Sequence, residues 1–181
     1  PIGGKMTKKK PNVLITGASS GIGEALARHY AITGAGTLFI SGRNRERLET
    51  VKTACERYNV KVYAEVMDVT NRQNTAAWIK KCEEIAPLNI VYANAGVATL
   101  EETPENIYNT FNTNVFGVLN TLIPTVEIFK NRRDKHKTLV ITSSIAGYHG
   151  LPSCPSYSAS KACVKAYGEA LRSELRQYGI Q

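Results

Sequence analysis

Tyr157 and Lys161 stand four residues apart in the stretch Tyr157-Ser158-Ala159-Ser160-Lys161. On a helix, residues at that spacing share a face. A lysine ammonium beside a tyrosine favours the phenolate, drawing down a pKa that is otherwise about 10. A phenol tuned in that way is a competent general acid or base. The same pair also arises as an ordinary exposed helical pair, so it decides nothing alone. Ser144 lies thirteen positions earlier, at the end of an apolar run. A hydroxyl there can donate to a carbonyl oxygen as negative charge develops on it. Asn114 falls inside a helical pattern, an awkward place for a side chain that competes for backbone hydrogen bonds. It is either a satisfied polar core residue or the holder of a water linked to Lys161.

A second group of residues suits a phosphate-bearing ligand. Thr16-Gly17-Ala18-Ser19-Ser20-Gly21-Ile22-Gly23 joins an apolar run to a helical pattern. Gly17, Gly21 and Gly23 permit a tight turn and a close backbone approach to a pyrophosphate. Ser19, Ser20 and Ile22 complete a loop whose helix N-terminus offers free N–H groups and a positive dipole end. A plain strand–helix connection is the alternative. Gly42 stands where a ribose-binding acid is usual after the second strand, and Arg43 follows it. Arginine pairs with a 2′-phosphate through a forked, charge-assisted bond, so NADP(H) is favoured over NAD(H). A solvated arginine at a helix start is the other reading, given Arg45 and Arg47 nearby. Asp68-Val69 could meet an adenine amino group, or Asp68 could cap the next helix. Asn94-Ala95-Gly96 lets the backbone pass close to a cofactor, or is a plain turn.

These residues need elements to hold them. Asn12–Thr16, Thr37–Ser41, Val60–Val66, Leu88–Ala93 and Thr138–Thr142 read as short, continuously apolar strands. Between them run helical patterns with inward stripes at Ile22, Ala25, Leu26 and His29, then Leu48, Val51, Cys55 and Tyr58, then Trp78, Cys82 and Ile85. A long helix opens at Pro104 with Ile107, Phe111, Val115, Val118 and Leu122 inward, and Pro124 is expected to kink or end it. The last helix runs from about Pro155 to Tyr178. Alternation of buried strands with helices predicts an α/β, Rossmann-type, doubly wound parallel sheet. A helix followed by Gly179-Ile180 announces a further strand, so the C-terminal strands are expected beyond Gln181.

The chain has 181 residues, 43% of them hydrophobic, enough for one domain with a sizeable core. Residues 1–11 read as a basic tail, with 1–5, ahead of Met6, as a leftover of expression. Residues 12–181 read as the single folded domain. The net charge of +8 comes from Lys5, Lys8, Lys9 and Lys10 and from the stretch Lys130 to Lys137. A tail and a solvated loop are not the working face of a nucleic-acid binder, so no nucleic-acid partner is expected. No apolar run reaches the roughly 18 residues of a membrane span. Cys55, Cys82, Cys154 and Cys163 form no CxxC pair and read as reduced thiols, which places the chain in the cytoplasm. His29, His136 and His149 add no ligand spacing, so no metal site is expected.

Taken in order, TGASSGIG, Asn94-Ala95-Gly96, Asn114, and Ser144 with YSASK resemble the short-chain dehydrogenase/reductase family from Asn12 onward. That resemblance implies an NAD(P)-binding oxidoreductase acting on a small-molecule carbonyl or alcohol. It implies a tetrad of Asn114, Ser144, Tyr157 and Lys161, and assembly as a homodimer or homotetramer. Tyr157 would give or take the proton at the substrate oxygen. Lys161 would tune Tyr157 and bond the nicotinamide ribose. Ser144 would orient the carbonyl, and Asn114 would complete a proton relay. Ala146, His149, Leu151 and Ser153 are expected on one substrate wall. A silent NADP-binding sensor or scaffold is the alternative, which the intact tetrad argues against. Two departures stand out: Ala93 where many members have Asn, and no counterpart to the family's later strand and substrate-covering segment.

Overall fold

A computed structural model describes residues 10–134 and 136–181. The tail readings for positions 1–9, including the leftover of expression, and the contribution of Lys135 lie outside them. Five parallel strands form one sheet: β1 (Asn12–Thr16), β2 (Thr37–Gly42), β3 (Lys61–Val66), β4 (Ile90–Ala93) and β5 (Thr138–Ile141). Their order is β3-β2-β1-β4-β5. The helices are α1 (Gly21–Thr33), α2 (Arg45–Glu56), α3 (Arg72–Ile85), α4 (Pro104–Phe111), α5 (Gly117–Lys130) and α6 (Pro155–Leu175). The fold is thus the expected doubly wound α/β sheet. The strand order reverses between β1 and β4, the point where such sheets open a crevice at their carboxyl ends.

Apolar strands are buried on both faces, which is why they read as runs rather than alternations. Val13, Ile15, Leu38 and Ile40 pack under α1 and α2. Leu14, Phe39 and Val91 pack on the other face with Trp78, Ile79, Cys82 and Phe129. Several stripes differ from expectation. In α1 the buried face is Gly23, Ala27 and Ala31, while Ile22 is exposed. Small residues let this helix lie close to the sheet, and the larger Ile22 is turned outward. Tyr58 and Ile85, expected inward, are exposed, because each falls in the last turn or beyond the helix end.

Pro124 does not end its helix, and α5 continues to Lys130. The backbone bond lost at proline is outweighed by burial of Leu122, Thr125 and Phe129 on the same helix. Between α4 and α5 the chain widens into one π-helical stretch, Asn112–Phe116, instead of running on as a single α-helix. Such bulges recur at functional sites.

Three bases between 130 and 137 are internal partners rather than parts of a solvated loop. Arg132 holds Glu83 at 3.0 Å and Asp134 at 2.7 Å. Lys130 pairs with Glu174 at 3.0 Å. Lys137 is buried, its ammonium donating to Phe129 O and Arg132 O at the end of α5. Past α6, Gln181 N donates to Lys137 O and Leu139 N donates to Gln181 O. Ile180 and Gln181 therefore lie as a parallel rung beside β5, as the Gly-Ile signal predicted. No helix among the described residues is long and apolar enough to cross a membrane.

Candidate active site

A cleft of about 430 Å³ opens at the carboxyl ends of the strands. Gly17, Ser19, Ser20, Gly21 and Ile22 line one side of it. Gly17 has φ +68° and Gly21 φ +57°, a region that disfavours any side chain. Gly23 lies behind the loop rather than in the cleft. A Cβ there would come 2.2 Å from Gly17 O, so glycine is what lets α1 approach the turn. Ser20 caps α1 without a side-chain hydrogen bond, whereas Asn44, Asn71 and Thr103 each cap their helices through a side chain. The first N–H groups of α1 are therefore left for a ligand.

Arg43, Asp68 and Val69 line the far end of the cleft, beyond β2 and β3. Arg43 Nη1 lies 3.9 Å from Asp68 Oδ2, with both side chains well exposed. Asp68 Oδ1 accepts from Thr70 N at 2.9 Å, and the cap of α3 falls to Asn71 instead. A Cβ at Gly42 would meet Ser19 Cβ and Oγ at 3.0 Å, so this position has little room for an acid. Arg47 lines the cleft too. Sequence reasoning passed over it as a solvated neighbour, although it sits one helical turn after Arg43, on the first turn of α2.

Asn94, Ala95 and Gly96 form the floor where β4 ends. Thr16 Oγ1 accepts from Asn94 N at 3.1 Å and Ala95 N at 3.2 Å, tying this turn to β1. Tyr157 and Lys161 line the same cleft, carried by the first turns of α6. Lys161 Nζ lies 5.8 Å from the centre of the Tyr157 ring. Lys161 is only 4% exposed. Its ammonium donates to Thr142 O at 2.8 Å, with no carboxylate beside it. Burial therefore holds its pKa below the ordinary lysine value.

Asn114 is fully buried in the π-helical stretch and does not line the cleft. Its Oδ1 accepts from Val97 N at 2.7 Å, and its Nδ2 donates to Val97 O and to Ser160 Oγ. Its side chain is thus spent on pinning the loop after Gly96 to α6. Ser144 also lies off the lining; its Oγ accepts from Ala146 N at 3.2 Å and caps the short turn Ile145–Gly147. The neighbouring Thr142 and Ser143 line the cleft, as does Thr113 beside Asn114. No sequence signal distinguished these three from their flanks. Ala146, His149 and Leu151 border a separate open hollow with Tyr148, Pro152 and Pro155, and Ser153 is not part of it.

The model of the short chain dehydrogenase family matches residues 11–181. The chain belongs to that family. It is 35% identical over 173 residues to an uncharacterized oxidoreductase of Myxococcus xanthus (strain DK1622), covering 93% of this chain and 67% of that protein. It superposes on a short-chain dehydrogenase/reductase from Burkholderia phymatum in complex with NAD, with TM-score 0.88 and 26% identity, over 95% of this chain and 63% of that one. An alcohol dehydrogenase from the archaeon Thermococcus sibiricus, complexed with 5-hydroxy-NADP, matches with TM-score 0.82 and 27% identity, over 91% of this chain and 71% of that one. This short-chain dehydrogenase chain thus spans about two thirds of the length of those relatives. The dinucleotides bound in those two structures differ.

Proposed function

We propose that this chain forms the dinucleotide-binding and catalytic part of an NADPH-dependent carbonyl reductase or alcohol dehydrogenase. The convergence of Tyr157 and Lys161 on the cleft that holds the glycine loop carries this reading. The residues fit a dinucleotide. The loop is glycine wherever a Cβ would close it, α1 offers uncapped N–H groups, and Arg43 and Arg47 line the same cleft with charge that suits a 2′-phosphate. The bound nicotinamide supplies the hydride, or takes it, at its C4.

The chain's own residues handle orientation and the proton. The N–H groups of Gly21 and Ile22 would hold a pyrophosphate at the helix start. Arg43 and Arg47 would hold a 2′-phosphate, and Asp68 an adenine amino group. Tyr157 gives its phenolic proton to the substrate oxygen in reduction and takes it back in oxidation. Lys161 places a positive charge beside Tyr157 and donates to the ribose. Ser144 turns its hydroxyl from its cap toward the carbonyl oxygen. Asn114 fixes the loop after Gly96 to the helix that carries Tyr157.

The test is NADPH turnover by the full-length protein across a panel of ketones and aldehydes, with Tyr157→Phe beside it. General acid–base catalysis is worth roughly 10²–10⁴-fold, and a loss of that size is expected with NADPH still bound. Turnover within a few-fold of wild type would remove Tyr157 from the mechanism. A protein that binds NADPH but reduces nothing on the panel would be a sensor or scaffold instead.

A further inference from the structure

We infer that Thr142 is a positioning residue, which ties the phosphate-side glycine loop and Lys161 to the same point of β5. This builds on the dinucleotide cleft proposed above. Thr142 follows the last residue of β5, and its N–H donates to Ala93 O at 3.2 Å. Its Oγ1 donates to Asn94 Oδ1 at 3.0 Å. The other end of that amide, Nδ2, donates to Thr16 O at 3.0 Å and reaches Gly17 O at 3.4 Å. The carbonyl of Thr142 accepts from Lys161 Nζ at 2.8 Å. One residue therefore holds both the amide that grips the glycine loop and the ammonium beside Tyr157.

The carbonyls of Thr16 and Gly17 set the orientation of the Asn94 amide, because only its Nδ2 can donate to them. Turned over, the amide would set its oxygen against the carbonyls of Thr16 and Gly17 and lose its bonds to both. Thr142 Oγ1 then donates to the oxygen that this orientation turns toward β5, so both ends of the amide are held. Valine at 142 would keep the β-branched shape that suits a strand end, but not this donor. Asn94 Oδ1 would then be left unpaired, and the loop carbonyls would lose a fixed partner.

The two arms separate in kinetics. Thr142→Val removes the hydroxyl and leaves the carbonyl under Lys161. Binding of NADPH, read by fluorescence titration of the full-length protein, should weaken about tenfold, while kcat at saturating NADPH changes less than about threefold. Thr142→Ser should restore the wild-type dissociation constant. A purely structural role would lower the melting temperature without this split and without rescue by serine. NADPH binding to Thr142→Val at the wild-type level overturns the inference. Should the valine variant not fold, Thr142→Ala replaces it, and an alanine variant that binds like wild type is equally fatal. A wild-type protein that binds neither NADPH nor NADH would defeat the cofactor reading instead. The link is then read without ligand, by hydrogen exchange at the Asn94 and Ala95 amides held by Thr16. Faster exchange in Thr142→Val supports the link, and unchanged exchange refutes it.

Discussion

Replacing Arg43 by alanine should erode the preference for NADPH while sparing NADH. The guanidinium sits at the rim of the cleft with 58% of its side chain exposed, and its one acidic neighbour is Asp68 at 3.9 Å. Hydrogen bonds to charged groups contribute roughly 1.5–3 kcal/mol, and water at the rim screens this one toward the lower end. About 1.5 kcal/mol corresponds to roughly a tenfold change in dissociation constant. Two further effects act in opposite directions. Without Arg43 the Asp68 carboxylate faces a 2′-phosphate unopposed, which weakens binding more. Arg47 remains on the same cleft, which weakens it less. NADH lacks that phosphate, so its dissociation constant should stay within about twofold. The assay is fluorescence titration of both dinucleotides against wild type and Arg43→Ala, at low and at high ionic strength. Salt should compress the wild-type preference, because the pairing is exposed. Equal weakening of NADPH and NADH, or no change in their ratio, would refute the assignment of Arg43 to the 2′-phosphate.

Three other outcomes are expected. Gly17→Ala forces a side chain into φ +68° and sets its Cβ 2.7 Å from Ala95 Cα, so urea unfolding should show a loss of about 2–3 kcal/mol. Glu102 Oε1 accepts from Ser156 N at 3.1 Å and Ser156 Oγ at 2.8 Å, at the start of the helix that carries Tyr157. Glu102→Ala should cost about 1 kcal/mol and speed hydrogen exchange at Ser156. Lys161 has a lowered pKa because it is buried, so the folded state releases its proton at lower pH than the unfolded chain does. Between those two values the unfolded chain binds more protons, and stability rises with pH. Lys161→Met should therefore be the more stable protein near pH ~7, with the gap narrowing toward pH ~10 in urea melts of the pair.

What the residues announced and what they hid follows a physical pattern. The strands were legible because burial on both faces demands continuous apolar runs such as Val13-Leu14-Ile15 and Leu38-Phe39-Ile40. The glycine loop was legible because backbone geometry there excludes other residues. The face of α1 was misread, since alanine and glycine carry little hydropathy yet make the closest packing. The π-helical stretch left no mark, because one extra residue per turn preserves the amphipathic pattern on either side. Lys137 counted as surface charge although it is buried, and only the arrival of the α5 carboxyl end beside β5 explains it. Arg47 likewise reaches the cleft through the placement of α2, which a linear pattern does not encode. Residue type and order singled out Asn114, Ser144, Tyr157 and Lys161, of which Tyr157 and Lys161 line the cleft and Asn114 and Ser144 do not.

The places where local rules are broken cluster around that cleft. Among the described residues two lysines are buried without a carboxylate, and they differ in what replaces it. Lys137 donates to two carbonyls at the end of a helix, where the dipole favours a cation, and this is a structural solution. Lys161 has a single carbonyl, Thr142 O, and the remaining donors of its ammonium have no partner of that kind. A Cβ at Gly96 would lie 3.3 Å from its Nζ and 3.2 Å from Asn114 Oδ1. Glycine there keeps open the space into which those donors point. The uncapped start of α1, the positive φ of Gly17 and Gly21, and the π-helical stretch that sets Asn114 behind Gly96 border the same space. Sequences that fold well satisfy such demands where nothing else competes. Here the free N–H groups of α1 and the spare donors of Lys161 on α6 converge from two separate elements on one crevice. A ligand that brings phosphates to α1 and hydroxyls to Lys161 would satisfy them together.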